Sequence, residues 1–380
     1  VALRALFVTS ELYPWQIGGP QNVVYNLANH LAERIDLEML CISPGEGQGM
    51  REYYRREITF NLIEDRGPKW FKYLHRNISY VENFRELDAF DLVHFHILPG
   101  ANCFFLPPCI KKRSLAKLVL SLYDWVPEEL RFYGTAEKLG HIMHWSAARR
   151  RFRYFDRFVV NSTYVKEIAQ SYGLGQVEIM PNGIDMDEWR TSEKLPLKGG
   201  VNILHWGRLY AKKGVGRLIR AFAESLSGRD DVHLYIGGEG PEENLYRDLS
   251  RSLGLEDKVT FLGMLTNEEL KRYLNSCDFC VFPSVYEGFG ISILEAMAAS
   301  KPVITSRKGG QTDFARDGYN ALLVDLDEPQ GLARAIKEMI DDTGMRESLG
   351  ANAASTATRY DWRRIAQDYA GFYERILEGN

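Results

Sequence analysis

The chain has 380 residues, 45% of them apolar, 26% charged and 12% aromatic, which is the make-up of a soluble globular protein of about two domains at roughly 100–200 residues each. Its 47 Lys and Arg against 51 Asp and Glu leave a net charge of −4, so the basic excess of a general nucleic-acid binder is missing. Five cysteines are too few and too odd in number for a disulfide framework, and no run of about 18 apolar residues marks a membrane span, so a cytoplasmic location is expected.

Short apolar runs alternate with helical patterns along the whole chain. The first half predicts strands at Leu3–Val8, Leu37–Ile42, Leu92–Phe95, Leu118–Leu122, Phe158–Val160 and Val177–Met180. Between them the spacing predicts helices over Gln21–Arg34, Phe71–Leu87 and Ala136–Arg150. The series restarts with Asn202–Trp206 and continues through Val232–Ile236, Val259–Leu262, Phe279–Phe282, Pro302–Thr305 and Ala321–Val324. Strands spaced by helices of this length read as βαβ units with parallel sheets covered on both faces. The expected class is therefore α/β, with two doubly wound Rossmann-like domains over residues 1–185 and 196–358. A polar stretch without periodicity after the turn Pro181-Asn182-Gly183 predicts a linker over 184–200. Tyr360-Asp361-Trp362 opens a terminal amphipathic helix within 360–380.

In open parallel sheets ligands gather outside the carboxyl ends of the strands. The most informative loop there is Pro283-Ser284-Val285-Tyr286-Glu287-Gly288-Phe289-Gly290, between a strand and a helix starting near Ile291. The N–H groups of Phe289, Gly290 and Ile291 at a helix tip favour an anion, so a phosphate or diphosphate belongs there. Glu295, about one turn into the helix, is an acceptor for a ribose diol, and Glu287 for sugar hydroxyls. Cys277-x-x-Cys280 lacks the second Cys pair of a zinc site, and His94-x-His96 lacks a third ligand, so no metal is expected.

Glu287-x7-Glu295 with Gly-Phe-Gly between resembles the signature of the retaining, nucleotide-sugar-dependent glycosyltransferases of family 4, and other segments follow in order over essentially the whole chain. The resemblance implies the GT-B fold, two Rossmann-like domains facing a central cleft. Its first domain would bind mainly the acceptor and its second the nucleotide-sugar donor, with the terminal helix packing back on the first. Gly207-Arg208-Leu209 and Lys213-Gly214 are similar to the family loop whose Arg and Lys clamp the donor diphosphate. Gly18-Gly19 resembles the loop that reaches the donor phosphate, Gly238 a turn near the nucleotide, and Met264 part of the base pocket. His96 matches a histidine that contacts the donor sugar. Tyr123-Asp124 stands where relatives commonly offer His or Thr, which leaves these two as acceptor-side candidates. Bacterial glycogen and starch synthases share Ser-Glu, Pro and Gly-Gly near the start, but carry Lys where this chain has Gln16.

The expectation is thus a retaining hexosyltransferase with Arg208, Lys213, Glu287 and His96 as its catalytic set, needing no metal cofactor. A sugar-nucleotide epimerase and a non-catalytic nucleotide-sugar-binding partner are the alternatives. Its acceptor would be a glycan, a lipid-linked molecule or a small molecule, and no nucleic acid. Over residues 100–160 there are 11 Lys and Arg against 5 Asp and Glu. The run Arg149–Arg157, with its interleaved aromatics, suits peripheral contact with the inner face of a membrane.

Overall fold

The computed structural model of the chain describes residues 3–10, 19–43, 53–55, 57–64, 72–86, 90–98, 103–123, 135–189, 193–328 and 330–379. They form two compact units, Val1–Gly183 with Trp362–Asn380, and Ile184–Asp361.

The first unit contains β1 (Arg4–Val8), β2 (Asp36–Ser43), β3 (Thr59–Glu64), β4 (Leu92–Phe95), β5 (Lys117–Leu122), β6 (Arg157–Val160) and β7 (Val177–Ile179). Its helices are α1 (Gly19–Leu31), α2 (Lys72–Glu86), α3 (Leu106–Arg113), α4 (Thr135–Arg149) and α5 (Thr163–Ser171). The strands form one parallel sheet in the order β3-β2-β1-β4-β5-β6-β7. The order reverses between β1 and β4, which is the switch point of a doubly wound sheet. Central strands β4 and β5 are buried on both faces, which is why their sequences are apolar runs rather than alternations. β3, which the apolar runs did not reveal, is an edge strand whose half-buried Asn61 donates to Glu38 Oε2 at 3.1 Å.

The second unit contains β8 (Val201–Trp206), β9 (Val232–Gly237), β10 (Val259–Gly263), β11 (Phe279–Phe282), β12 (Val303–Ser306) and β13 (Leu322–Val324). The strands pair in parallel in the order β10-β9-β8-β11-β12-β13, so the second switch point lies between β8 and β11. Helices α6 (Val215–Ser225), α7 (Glu243–Ser252), α8 (Asn267–Ser276), α9 (Ile291–Ala298), α10 (Gly331–Asp341) and α11 (Thr343–Ala357) belong to this unit. One apolar core lies between the sheet and α6 and α10, and the other between the sheet and α8, α9 and α11. α8 opens with a capping box, Thr266 Oγ1 accepting from Glu269 N–H at 3.2 Å, a type of cap worth about 1 kcal/mol.

The described part of the expected linker differs from a free connection. Ile184, Met186 and Trp189 are buried in the α8–α9–α11 core, and Ile184 N–H donates to Tyr360 O at 2.7 Å. Leu195 N–H donates to Ser276 Oγ at 2.6 Å, and Lys198 N–H to Tyr235 Oη at 2.8 Å. Three large apolar side chains set among polar residues are enough to anchor an aperiodic segment. α12 (Trp362–Glu378) belongs to the first unit, where its Tyr373 bonds His94 at 2.7 Å.

Candidate active site

At the switch point of the second unit four strand-end loops are stitched together through glycines. Gly207 N–H donates to Gly237 O at 3.1 Å, Gly238 N–H to Gly263 O at 2.6 Å, and Leu209 N–H to Glu239 O at 2.9 Å. Gly238 sits at φ +112°, and a Cβ there would lie 1.9 Å from Gly207 O, so only glycine lets the β8 and β9 loops touch. The β8 loop continues through a single 3₁₀ turn, Ala211–Lys213, to Gly214 at φ +72°, whose Cβ would lie 2.0 Å from Pro283 O. Val285 N–H closes this contact by donating to Lys212 O at 2.8 Å.

The stitching brings two distant charges together. Lys213 Nζ lies 2.8 Å from Glu287 Oε2, and both side chains are largely buried. Ser284 Oγ donates to the same oxygen at 3.1 Å. Behind this pair His205 is buried, its Nδ1 2.8 Å from Val281 O, and burial holds its pKa down to about 4 with the Lys213 charge adding to the effect. Gly290 is left-handed at φ +98° and forms the N-cap of α9. Among the described residues the N–H groups of Phe289, Gly290 and Ile291 have no acceptor, so the helix tip is electrically open to an anion. The Phe289 ring itself lies in the core against Phe314 at 5.3 Å, leaving only its backbone for a ligand.

Glu295 lies on α9, where Trp206 Nε1–H donates to its Oε2 at 3.2 Å. Burial pushes its carboxyl up to about 7; the Trp206 N–H opposes the shift and the Glu188 charge adds to it. Arg208 is exposed, its guanidinium 6.0 Å from the Tyr210 ring centre, and among the described residues no carboxylate pairs with it. Met264 is exposed just after Gly263, which sits at φ +69°. Arg208, Lys213, Gly238, Met264, Glu287, Phe289, Gly290, Ile291 and Glu295 thus share the carboxyl side of one sheet.

In the first unit His96 directly follows β4, also at a switch point. It is 7% exposed, its Nδ1 is 2.6 Å from the Tyr123 hydroxyl, and its Nε2 is buried with no partner among the described residues. Gly19 is the exposed first residue of α1. Gly18 and Asp124 lie outside the described residues.

Three contributors carried no signal read from the sequence. Ser284 and Trp206 hold the two glutamates, and the loop after β12 backs the helix tip: Gly310 N–H donates to Glu287 O at 2.8 Å, and a Cβ on Gly310 would lie 1.9 Å from Gly288 O. The pair Gly309-Gly310 after a strand was the available clue. The Arg149–Arg157 run is largely folded onto its own surface, with Arg151 3.5 Å over the Phe104 ring and Arg153 donating to Tyr154 Oη at 3.0 Å. Cys277 and Cys280 are buried with their sulfurs 3.8 Å apart. Among the described residues no cluster of His, Cys, Asp and Glu is arranged to hold a metal, and no helix is long and apolar enough to cross a membrane.

Two family profiles match the chain, "Glycosyltransferase Family 4" over residues 17–188 and "Glycosyl transferases group 1" over residues 185–356. MJ1178 of Methanocaldococcus jannaschii, an uncharacterized glycosyltransferase, is 26% identical over 383 residues, 99% of both chains. MJ1607 of the same organism, also an uncharacterized glycosyltransferase, is 34% identical over 215 residues, 53% of this chain and 55% of its own length. The chain thus matches about half the length of that relative. Among solved structures, Alr3699/HepE of Anabaena in complex with UDP and glucose superposes with a TM-score of 0.78 at 22% identity, over 98% of this chain and 99% of that one, a likeness of fold.

Proposed function

The chain belongs to the group 1, family 4 glycosyltransferases, and from that membership we propose that it moves a hexosyl unit from a nucleoside-diphosphate sugar to an acceptor hydroxyl with retention at the anomeric carbon. The observation that carries this reading is the pairing, at 2.8 Å, of Lys213 from the β8 loop with Glu287 from the loop that leads to the α9 N–H groups, which have no acceptor among the described residues. The second unit takes the donor and the first mainly the acceptor. The glycosidic C–O bond breaks with its electron pair going to the β-phosphate. Arg208, Lys213 and the α9 tip neutralise the charge that builds there. The acceptor oxygen bonds to the same face of the sugar, and its proton passes to the departing phosphate. Lys213 turns toward the phosphate while Glu287, still held by Ser284, accepts from sugar hydroxyls. UDP and glucose in the Anabaena protein make UDP-glucose the first donor to try. No residue of this scheme requires a metal, since cationic side chains and the helix tip carry the neutralisation. Nucleoside diphosphate released only when acceptor is present supports transfer, whereas epimerised donor without acceptor supports the epimerase alternative.

Glu295 gives this reading a pH signature. Its carboxyl titrates at about 7 in the empty protein, and only its ionised form accepts both hydroxyls of a ribose diol. Binding therefore releases a proton below that pH, and affinity rises as pH rises through it. Donor binding by calorimetry is expected to be about tenfold weaker at pH 6 than at pH 8, each pKa unit being a factor of ten. A nucleotide sugar is the right probe, because its diester diphosphate does not itself titrate in this range. Glu295→Gln is expected to bind weakly and independently of pH; a pH-independent wild type would remove Glu295 from the ribose.

Peripheral membrane contact falls to α4 more than to the arginine run. Leu139 (61% exposed), Ile142 (45%) and Met143 (66%) share its outward face, opposite buried Trp145 and Ala148, with exposed Arg149 and Arg150 at its end. An apolar face edged by cations fits an anionic bilayer. The chain is expected to sediment with vesicles containing anionic lipid and not with neutral ones, and Leu139→Asp with Met143→Asp should release it. Equal sedimentation with both vesicles, or none, contradicts this assignment.

A further inference from the structure

A chain of buried polar groups runs under the carboxyl end of the first sheet. Tyr373 Oη, from α12, lies 2.7 Å from His94 Nδ1, and His94 Nε2 lies 2.8 Å from Ser121 Oγ on β5. The Tyr123 and Tyr369 hydroxyls lie close to Ser121. Tyr123 Oη then meets His96 Nδ1 at 2.6 Å, and the His96 ring is wedged against Phe7 at 4.4 Å and His94 at 4.1 Å. The chain ends at His96 Nε2, buried and without a partner among the described residues.

We propose that Tyr123 is a positioning residue that fixes the tautomer of His96, so that Nε2–H is the hydrogen-bond donor which this unit offers to a ligand oxygen. The identity of the ligand rests on the proposed transferase activity; the tautomer does not. An imidazole nitrogen is a stronger acceptor than a phenol oxygen, and a neutral phenol has one hydrogen to give, so Tyr123 donates to Nδ1. The ring proton must then sit on Nε2, because the bond made by one imidazole nitrogen decides the state of the other. Among the described residues no carboxylate bonds either histidine, so nothing in the network holds an imidazolium. Burial agrees: it pushes His96 down to about 3 and the Tyr123 hydroxyl well above its ordinary value, leaving both neutral. His96 therefore acts as a neutral donor, not as an acid or base. A buried N–H without an acceptor is costly to leave unmade, and a ligand oxygen relieves that cost.

Nitrogen-15 imidazole spectra of the full chain without ligand test the assignment. In the wild type His96 is expected to show a bare Nδ1 and a protonated Nε2. Tyr123→Phe should move His96 toward the other tautomer, while His94, held by Tyr373 and Ser121, stays unchanged as the internal reference. The same variant should lose about tenfold in kcat/KM, yet bind nucleoside diphosphate within twofold of wild type, because the proposed diphosphate site lies in the second unit. A protonated Nδ1 in the wild type overturns the assignment from the wild-type spectrum alone, even if the variant does not fold. An unchanged tautomer in Tyr123→Phe overturns it whatever the activity. A changed tautomer with unchanged kcat/KM overturns the ligand contact and leaves the transferase reading standing.

Discussion

Lys213→Ala is expected to lower kcat by about 10²-fold or more, comparable to removing one preorganised oxyanion donor, while the donor KM moves far less. The asymmetry follows from where the charge develops. In the proposed ground state the sugar-linked diphosphate is already anionic and would share its charge among Arg208, the α9 tip and water. In the proposed scheme an additional charge appears on one phosphate oxygen as the glycosidic bond breaks, and Lys213, carried on the 3₁₀ turn at Ala211–Lys213 and turned from Glu287 once the donor is bound, meets it there. Glu287 complicates the reading, since its oxygen lies 2.8 Å from Lys213 Nζ and the alanine leaves it largely buried without its cation, held by Ser284 alone among the described residues. A double-mutant cycle with Glu287→Gln separates the two effects. If the loss came only from the stranded carboxylate, the double variant would recover most of the turnover; if Lys213 neutralises the phosphate, the double variant stays slow. A fall in kcat of less than about threefold in Lys213→Ala would take the lysine out of the mechanism.

The alternation of apolar runs and helices fixed the class of both sheets, because parallel strands buried on two faces leave an unmistakable trace. β3 left none, since an edge strand keeps polar residues such as Asn61 on a half-exposed surface. At the site, residues that act through backbone geometry were visible: Gly238 and Gly290 mark places where a Cβ or a right-handed conformation cannot fit. Residues that act by touching those glycines' neighbours were not. Trp206 reads as an ordinary strand residue, and only the pairing of β8 beside β11 brings its N–H to Glu295. Tyr373 lies 279 positions from His94, and no local pattern announces that α12 supplies it. In the arginine run, expected to meet a membrane, Arg151 and Arg153 are engaged with Phe104 and Tyr154, and an exposed apolar face lies about two to three turns earlier, on α4. Ile184, Met186 and Trp189 belong to the same class of omission: isolated apolar residues in a polar stretch carry no period, but each has a core to enter.

Most of the functional account depends on the second unit gripping the terminal phosphate of a nucleoside diphosphate, and calorimetric titration measures that grip without needing the acceptor. UDP should bind the wild type at least about tenfold more tightly than UMP, because charge-assisted bonds of roughly 1.5–3 kcal/mol form only to the second phosphate. Replacing Arg208 and Lys213 together with alanine should weaken UDP about a hundredfold and leave UMP nearly unchanged, two such bonds being lost. Equal affinity for UDP and UMP in the wild type, or UDP binding that survives the double replacement, would contradict the account at its centre.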